Sequence, residues 1–155
     1  MSPSAIRAWS LAGVSALVVL VLDQLTKAAA LASIEPDERR DFLLVLDLVR
    51  VRNTGVAFGV LSGGGWLVPA LSLLAMLGIL VWFALRPIRP MAWLPAGLVI
   101  GGALGNLTDR VRLGAVTDFL KLPGWPAFNI ADVAITTGVI LLVIVIETDA
   151  RRNED

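Results

Sequence analysis

The sequence predicts an all-α integral membrane protein, in which four transmembrane helices carry a small extramembrane β element. Of its 155 residues, 57% are apolar and only 17% are charged, and the mean hydropathy is +0.81. A water-soluble domain of this size has too high a surface-to-volume ratio to cover so much apolar surface. The apolar residues are also gathered into long uncharged runs. We therefore expect residues 1–155 to form a single membrane-embedded domain.

Four apolar segments are long enough to cross the hydrocarbon core, which takes about 20 helical residues. They cover residues 8–31, 66–85, 91–108 and 129–146. Pro87 and Pro90 predict a tight turn between the second and third segments, because proline ends helices. Four spans put both termini on one side of the membrane. Lys and Arg are more numerous on the opposite side, so the charge bias leaves the orientation open.

The first segment also resembles a secretory signal peptide, since Arg7 precedes an apolar run and a small-residue tract follows at 28–32. However, Asp23 and Lys27 separate the run from the tract, where a signal peptide carries neutral residues. We therefore expect this segment to stay in the protein as a membrane anchor.

A strand is predicted between the first two spans. Residues 48–52 alternate apolar and basic side chains, the period of a strand with one wet face, and Asn53 then opens a turn. The loop at 111–128 is a further candidate for this β element. In the third span, Gly97, Gly101 and Gly105 are spaced by four residues, which predicts close packing of that helix against a neighbour.

The composition excludes several kinds of chemistry. The chain has no cysteine and no histidine, so it has no disulfide, no thiol nucleophile, no Ser-His-Asp triad and no His or Cys metal ligand. We expect neither a metal nor a cofactor. The formal net charge of zero argues against nucleic-acid binding. Carboxylates, amides, hydroxyls, Lys and Arg must carry any reaction.

Polar residues collect at one end of the predicted spans. Charged groups are costly in lipid and therefore indicate a functional site, and aspartate is too short to reach water from there. Lys27 and Arg112 have long stems, so for these two we expect snorkelling to the interface. The candidate site residues are Asp23, Asn53, Asn106, Asp109, Arg110, Asp118, Asn129 and Asp132.

Two neighbouring carboxylates cannot both ionise easily, so such a pair supplies an acid and a base. Asp118 and Asp132 flank a turn-rich stretch at 123–126 that can fold one towards the other. This pair could activate water and protonate a leaving amine, as in aspartic peptidases. Which residue starts as the base stays open, because such a pair titrates as a unit. Asp109 with Arg110 fits a structural or substrate-orienting pair.

Two other functions are compatible with parts of the pattern. A proton or ion carrier also needs acids inside the membrane, but its site usually lies near the midplane, often between internal repeats. A scaffold that binds a partner helix through its glycine-rich third span would not need four aspartates. The position of the acids at one face therefore favours the peptidase.

Five short blocks, in this order, resemble the lipoprotein signal peptidases, also called signal peptidase II. They are residues 23–27 (DQLTK), 53–58 (NTGVAF), 105–110 (GNLTDR), 116–119 (VTDF) and 128–132 (FNIAD). The resemblance implies a multi-pass aspartic peptidase of the bacterial inner membrane, with both termini cytoplasmic and the active site near the periplasmic face. The periplasmic segments are then about 32–65 and 109–128, including a β cradle and a membrane-surface element.

The resemblance also implies a substrate and residue roles. The family removes the signal peptide of diacylglyceryl-modified prolipoproteins just before the lipidated cysteine, and globomycin-type cyclic peptides inhibit it. Asp118 and Asp132 match its catalytic pair. Asp23 matches a structural position in the first span. Supporting or substrate-holding positions are matched by Asn53, Asn106, Asp109, Arg110 and Asn129. Prolipoprotein and membrane lipid are the expected partners, and nothing requires more than a monomer.

Overall fold

A computed structural model describes residues 2–36, 38–54, 67–87, 89 and 91–152. This part of the chain is mostly helical and carries one small antiparallel sheet, as the sequence predicts. The helices are α1 (Pro3–Ser33), α2 (Leu67–Leu85), α3 (Trp93–Leu113) and α4 (Ile130–Arg152). The strands are β1 (Arg39–Leu43), β2 (Leu46–Asn53) and β3 (Val116–Lys121). Trp66 and Pro90, which entered the predicted boundaries, and residues 55–58 of the second block lie outside the described residues.

Helix α3 lies at the centre and packs against the other three helices. A Cβ atom at Gly97 would lie 2.7 Å from the carbonyl oxygen of Ala12, and one at Gly101 would lie 2.6 Å from that of Ala16. Both distances are closer than a real Cβ permits, so the predicted close packing of this glycine face is confirmed. Because the contacts advance along both helices in the same direction, α1 and α3 run parallel.

Helix α4 runs antiparallel to α3. Near its start, the carbonyl oxygen of Ala131 faces Gly102, while Gly138 further along meets Val99. At the opposite end of the molecule, the rings of Trp9 and Phe83 lie 4.7 Å apart, so the end of α2 contacts the beginning of α1. The helices thus alternate in direction along the chain. The ends of α1 and α3 meet the start of α4 at one end of the molecule.

Two helices of the described residues are long and apolar enough to cross a membrane, Pro3–Ser33 and Ile130–Thr148, and Leu73–Leu85 is a shorter apolar helix. Their outward faces carry large apolar side chains that are about half exposed, such as Leu17 on α1 and Ile140 on α4. Such faces suit lipid rather than water. By length and hydropathy the structure supports two spans, and the count of four stays a prediction.

Helix α3 continues beyond the predicted boundary at residue 108 and ends at Leu113, where Gly114 adopts a left-handed conformation with φ of 71°. Asp109 and Arg110 therefore belong to the last turns of the helix instead of following it. The boundary at residue 108, drawn where charge begins, was that of the membrane span and stays a prediction. A charged residue does not end a helix when side chains of neighbouring elements pair with its charge.

The sheet has the order β1-β2-β3 and is antiparallel throughout. Strand β2 confirms the strand predicted around residues 48–52, and β3 comes from the loop proposed as its partner. Val51 pairs with Asp118 across the sheet, and Phe119 packs beside Ala30 and Ile34 at the end of α1. These contacts hold the sheet over the helix ends and bring Asp118 to the start of α4.

Candidate active site

Asp118 and Asp132 reach the site from different elements. Asp118 is the third residue of β3 and is only 1% exposed, while Asp132 lies half-buried in the first turn of α4. Asn129 caps that helix. Its side-chain oxygen accepts from the backbone N–H of Asp132 at 3.0 Å, and its own N–H donates to Asp132 Oδ2 at 3.2 Å. This reciprocal capping fixes the Asp132 carboxylate at the N-terminus of α4.

Side-chain amides connect the two carboxylates. Asn129 Nδ2 donates to Asp118 Oδ1 at 2.7 Å, so Asn129 contacts both aspartates. Asn53 Nδ2 donates to Asp118 Oδ2 at 2.9 Å, and Asn106 Nδ2 donates to Asp132 Oδ1 at 2.8 Å. Three asparagines from β2, α3 and the start of α4 thus hold the pair. The structure brings these five predicted site residues together.

Lys27 lies beneath this group and is 2% exposed. Its Nζ lies 2.8 Å from Asp23 Oδ2 and 3.2 Å from Asp109 Oδ2, and it donates to Asn106 Oδ1 at 3.0 Å. The prediction that Lys27 snorkels to water was therefore wrong. Its stem follows the buried face of α1, where two carboxylates compensate the charge. The spacing of Asp23 and Lys27, one helical turn apart, was the available signal.

The same two carboxylates also hold the backbone beside the pair. Asp109 Oδ2 accepts from the N–H of Thr117, directly before Asp118, at 2.9 Å. Asp23 Oδ1 accepts from the N–H of Ala131, directly before Asp132, at 2.9 Å. Because Lys27 contacts both carboxylates, one buried ion cluster fixes the backbone of β3 and α4 at once.

Arg110 takes a different position from Asp109. Asp109 pairs with Lys27, and among the described residues it forms no ion pair with Arg110. The Arg110 guanidinium is half-buried, and its Nη1 lies 3.5 Å from the carbonyl oxygen of Asn106. Asp109, the acidic member of the predicted pair, thus contacts Lys27 and the backbone of β3 instead of Arg110. The basic member keeps most of its N–H donors.

Gln24 is a site residue that the sequence reasoning missed. Its Nε2 donates to Asp109 Oδ1 at 3.0 Å and to the carbonyl oxygen of Gly105 at 3.3 Å. These partners are more than 80 positions away in the chain, so no local pattern indicates them. Gln24 thus helps to hold the carboxylate of Asp109 in place.

The environment of Asp118 favours its protonated form. Burial, first, and then the negative charge of Asp132 raise its pKa, while the hydrogen bonds from Asn53 and Asn129 and the charge of Lys27 act against them. The net effect raises the pKa of Asp118 from 3.8 to about 6. A carboxyl that titrates near neutral pH beside a second carboxylate suits acid–base catalysis. Within the described ranges, no group of three acidic side chains is placed to hold a metal ion.

The chain is similar to known proteins over most of its length. A model of the family described as signal peptidase (SPase) II matches residues 15–147. The lipoprotein signal peptidase of Syntrophomonas wolfei is 43% identical over 141 residues, covering 90% of this chain and 95% of its own. That of Pseudoalteromonas atlantica is 41% identical over 150 residues, covering 90% and 88%.

Two solved structures share this fold. A bacterial membrane enzyme determined in meso at 1.9 Å superimposes with a TM-score of 0.70 at 30% identity, covering 87% of this chain and 91% of that one. A second, at 2.3 Å, gives a TM-score of 0.72, also at 30% identity, with 90% and 88% covered. The chain is thus a membrane peptidase that acts on the signal peptides of lipoproteins, and it belongs to the signal peptidase II family.

Proposed function

We propose that this protein is an aspartic endopeptidase that cleaves diacylglyceryl-modified prolipoproteins just before the lipidated cysteine, using Asp118 and Asp132. The observation that carries the proposal is the bridge that Asn129 forms between the two carboxylates. It brings a buried acid of raised pKa next to a second carboxylate. This is the arrangement that activates water without a metal.

The two aspartates share one proton in the active state. The ionised carboxylate takes a proton from water, and the oxygen of that water attacks the carbonyl carbon before the cysteine. The protonated carboxyl donates its proton to the nitrogen of the leaving amine as the C–N bond breaks. The products are a signal peptide with a new carboxylate and a lipidated cysteine with a free amino group. The raised pKa of Asp118 is compatible with either role.

The surrounding residues divide into two tasks in this proposal. Asn129 and Asn106 position the carboxylates, because their amide N–H groups already donate to them. Arg110 has most of its donors available and is our candidate for binding the carbonyl groups of the extended substrate. Asn53 likewise positions Asp118, because its amide N–H donates to that carboxylate.

The exposed apolar helix faces would accept the diacylglyceryl chains. Fixing these chains orients the scissile bond, so that binding energy far from the reacting atoms lowers the entropic part of the barrier. We further propose four spans in the bacterial inner membrane, with both termini cytoplasmic and the site near the periplasmic face. The alternating helix directions support this topology. We also propose that the protein acts as a monomer and without a cofactor. Globomycin-type peptides would inhibit it by binding at the candidate active site.

The test is cleavage of a diacylglyceryl-modified prolipoprotein by the purified protein in detergent, with and without EDTA. We expect EDTA-resistant cleavage that Asp118→Asn and Asp132→Asn each reduce by about 10²–10⁴-fold, the usual contribution of a general acid or base. Asp41→Asn is the matched control, because Asp41 is exposed on β1. Activity retained by either dyad variant would contradict the proposal.

A further inference from the structure

A second cleft lies at the same end of the molecule as the candidate active site. It has a volume of about 670 Å³ and lies between the ends of α1 and α3 and strand β2. Leu31 and Leu113 form part of its apolar lining, and Arg50, Arg52 and Arg112 supply its charge. None of the described residues that line the cleft is acidic. The cleft therefore combines three positive charges with apolar walls.

Two of the three guanidinium groups are held by the fold. Arg52 Nη2 donates to the carbonyl oxygen of Leu113 at 2.7 Å, and Arg50 Nη1 donates to that of Ile34 at 3.3 Å. A guanidinium has five N–H donors, so each keeps most of them for a ligand. Arg112 is exposed and donates no hydrogen bond within the described part of the chain.

Among the described residues, no acid balances the charge of these arginines. Within the described ranges none of the three forms an ion pair, although acidic residues lie close in sequence. Glu38 pairs with Arg40 instead. Guanidinium groups that line one cleft suit the oxygen atoms of a phosphate, which a guanidinium can bind in a bidentate manner. The proposed peptidase reaction does not use any of the three.

The apolar part of the cleft indicates what carries the phosphate. Val51 and Leu113, which form part of the lining, are 41% and 44% exposed. An inorganic anion would use the charge but leave these apolar walls uncovered. A phospholipid would use both, with its phosphate among the arginines and its acyl chains along α1 and α3.

We propose that this cleft binds the headgroup of an anionic phospholipid through Arg50, Arg52 and Arg112. The sequence shows an excess of Lys and Arg at the end opposite the termini, which the proposed peptidase function leaves unexplained. Lipid binding accounts for three of these residues. The bound lipid would also cover the gap between the sheet and the helix ends, beside β3.

The test is native mass spectrometry of the full-length protein in neutral detergent, with equal amounts of phosphatidylglycerol and phosphatidylcholine. We expect one molecule of phosphatidylglycerol to be retained in preference to phosphatidylcholine. Excess inorganic phosphate should not displace it, because the acyl chains contribute to binding. Equal retention of both lipids, or complete displacement by phosphate, would overturn the proposal.

Variants test whether the arginines are responsible. Arg112→Gln should lower the retention of phosphatidylglycerol by about tenfold, the loss of a charge-assisted hydrogen bond. It should not disturb folding, since Arg112 supports no described contact. Arg86→Gln, an exposed arginine at the other end, is the control of equal charge change and should retain the lipid. The assignment would be contradicted if Arg112→Gln retained phosphatidylglycerol as well as the unaltered protein does, or if an acidic peptide displaced the lipid. Lipid retention is measured without peptidase activity, so its outcome does not depend on the roles proposed for Asp118 and Asp132.

Discussion

At the scale of single residues, the surroundings of Asp118 control the pKa of its carboxyl group. Burial raises its pKa to about 6, while the amides of Asn53 and Asn129 favour its ionised form. The carboxyl therefore carries its proton below about pH 6 and loses it above. Since the active pair needs one proton, the profile of cleavage rate against pH should have a limb near this pH.

The Asn53→Ala variant tests this control directly. Removal of the Asn53 amide takes away a hydrogen bond to the charged carboxylate, so the pKa of Asp118 rises further. We expect the limb of the pH–rate profile that reports Asp118 to move to higher pH. The rate should fall with rising pH through this limb, because Asp118 then loses the one proton that the active pair needs, and a rate that rises would contradict the one-proton pair. An unmoved limb would show that Asp118 does not produce it.

Replacement of Lys27 tests whether the buried ion cluster stabilises the fold. Lys27→Met would leave the carboxylates of Asp23 and Asp109 buried without their cation, and breaking a buried pair in this way costs about 3–5 kcal/mol. We expect a large fall in the melting temperature in detergent. Arg7→Met, an exposed cation on the same helix, should change little. Equal effects of the two substitutions would exclude the proposed role of the cluster.

At the scale of elements, the glycine face of α3 sets how closely the helices that carry the site approach one another. Gly101 lies against the backbone of α1, and Gly105 lies directly beside the carboxylate of Asp23. Any side chain at these positions would separate α1 from α3. The ion cluster that holds β3 and α4 crosses the same contact. Helix packing and site geometry are thus coupled.

Gly101→Ala should therefore destabilise the protein and lower its activity. Its Cβ would lie 2.6 Å from the carbonyl oxygen of Ala16, and such overpacking costs about 1–3 kcal/mol. Gly13→Ala is the matched control, since a Cβ there meets nothing within 4 Å. The control should be neutral or slightly stabilising, because alanine favours helix. Thermal unfolding and cleavage of both variants would check this, and a stable, active Gly101→Ala would contradict the packing argument.

At the scale of the whole molecule, the alternating helices put the candidate active site at one end and the Arg86 turn at the other. The turn between β1 and β2, at the site end, exposes Leu44 completely. In the proposed topology these two positions lie on opposite sides of the membrane. That topology would place Leu44 in the periplasm and Arg86 in the cytoplasm.

The chain has no native cysteine, so single cysteines can report this topology. We expect a membrane-impermeant maleimide to label Leu44→Cys in intact spheroplasts. Arg86→Cys should react only after the membrane is permeabilised. The reverse pattern would overturn the proposed orientation, and labelling of both from outside would exclude the alternating spans.

The sequence by itself determined the class of the molecule, the approximate helices, strand β2 and the set of polar residues at one end. These features are readable because hydropathy, periodicity and short motifs are properties of neighbouring residues. The blocks around Asp118 and Asp132 indicated the family for the same reason.

Only the tertiary structure decided how these residues are connected. Lys27 became a buried cation rather than a snorkelling one because Asp109 and Asn106, from another helix, supply its partners. Asp23 reaches the N–H of Ala131 across 108 positions of sequence. The arginine cleft likewise needs two helix ends and a strand to meet. Such contacts depend on which elements meet. The glycine spacing indicated the face of α3 that packs closely, but no local pattern in the chain specified the partner of that face.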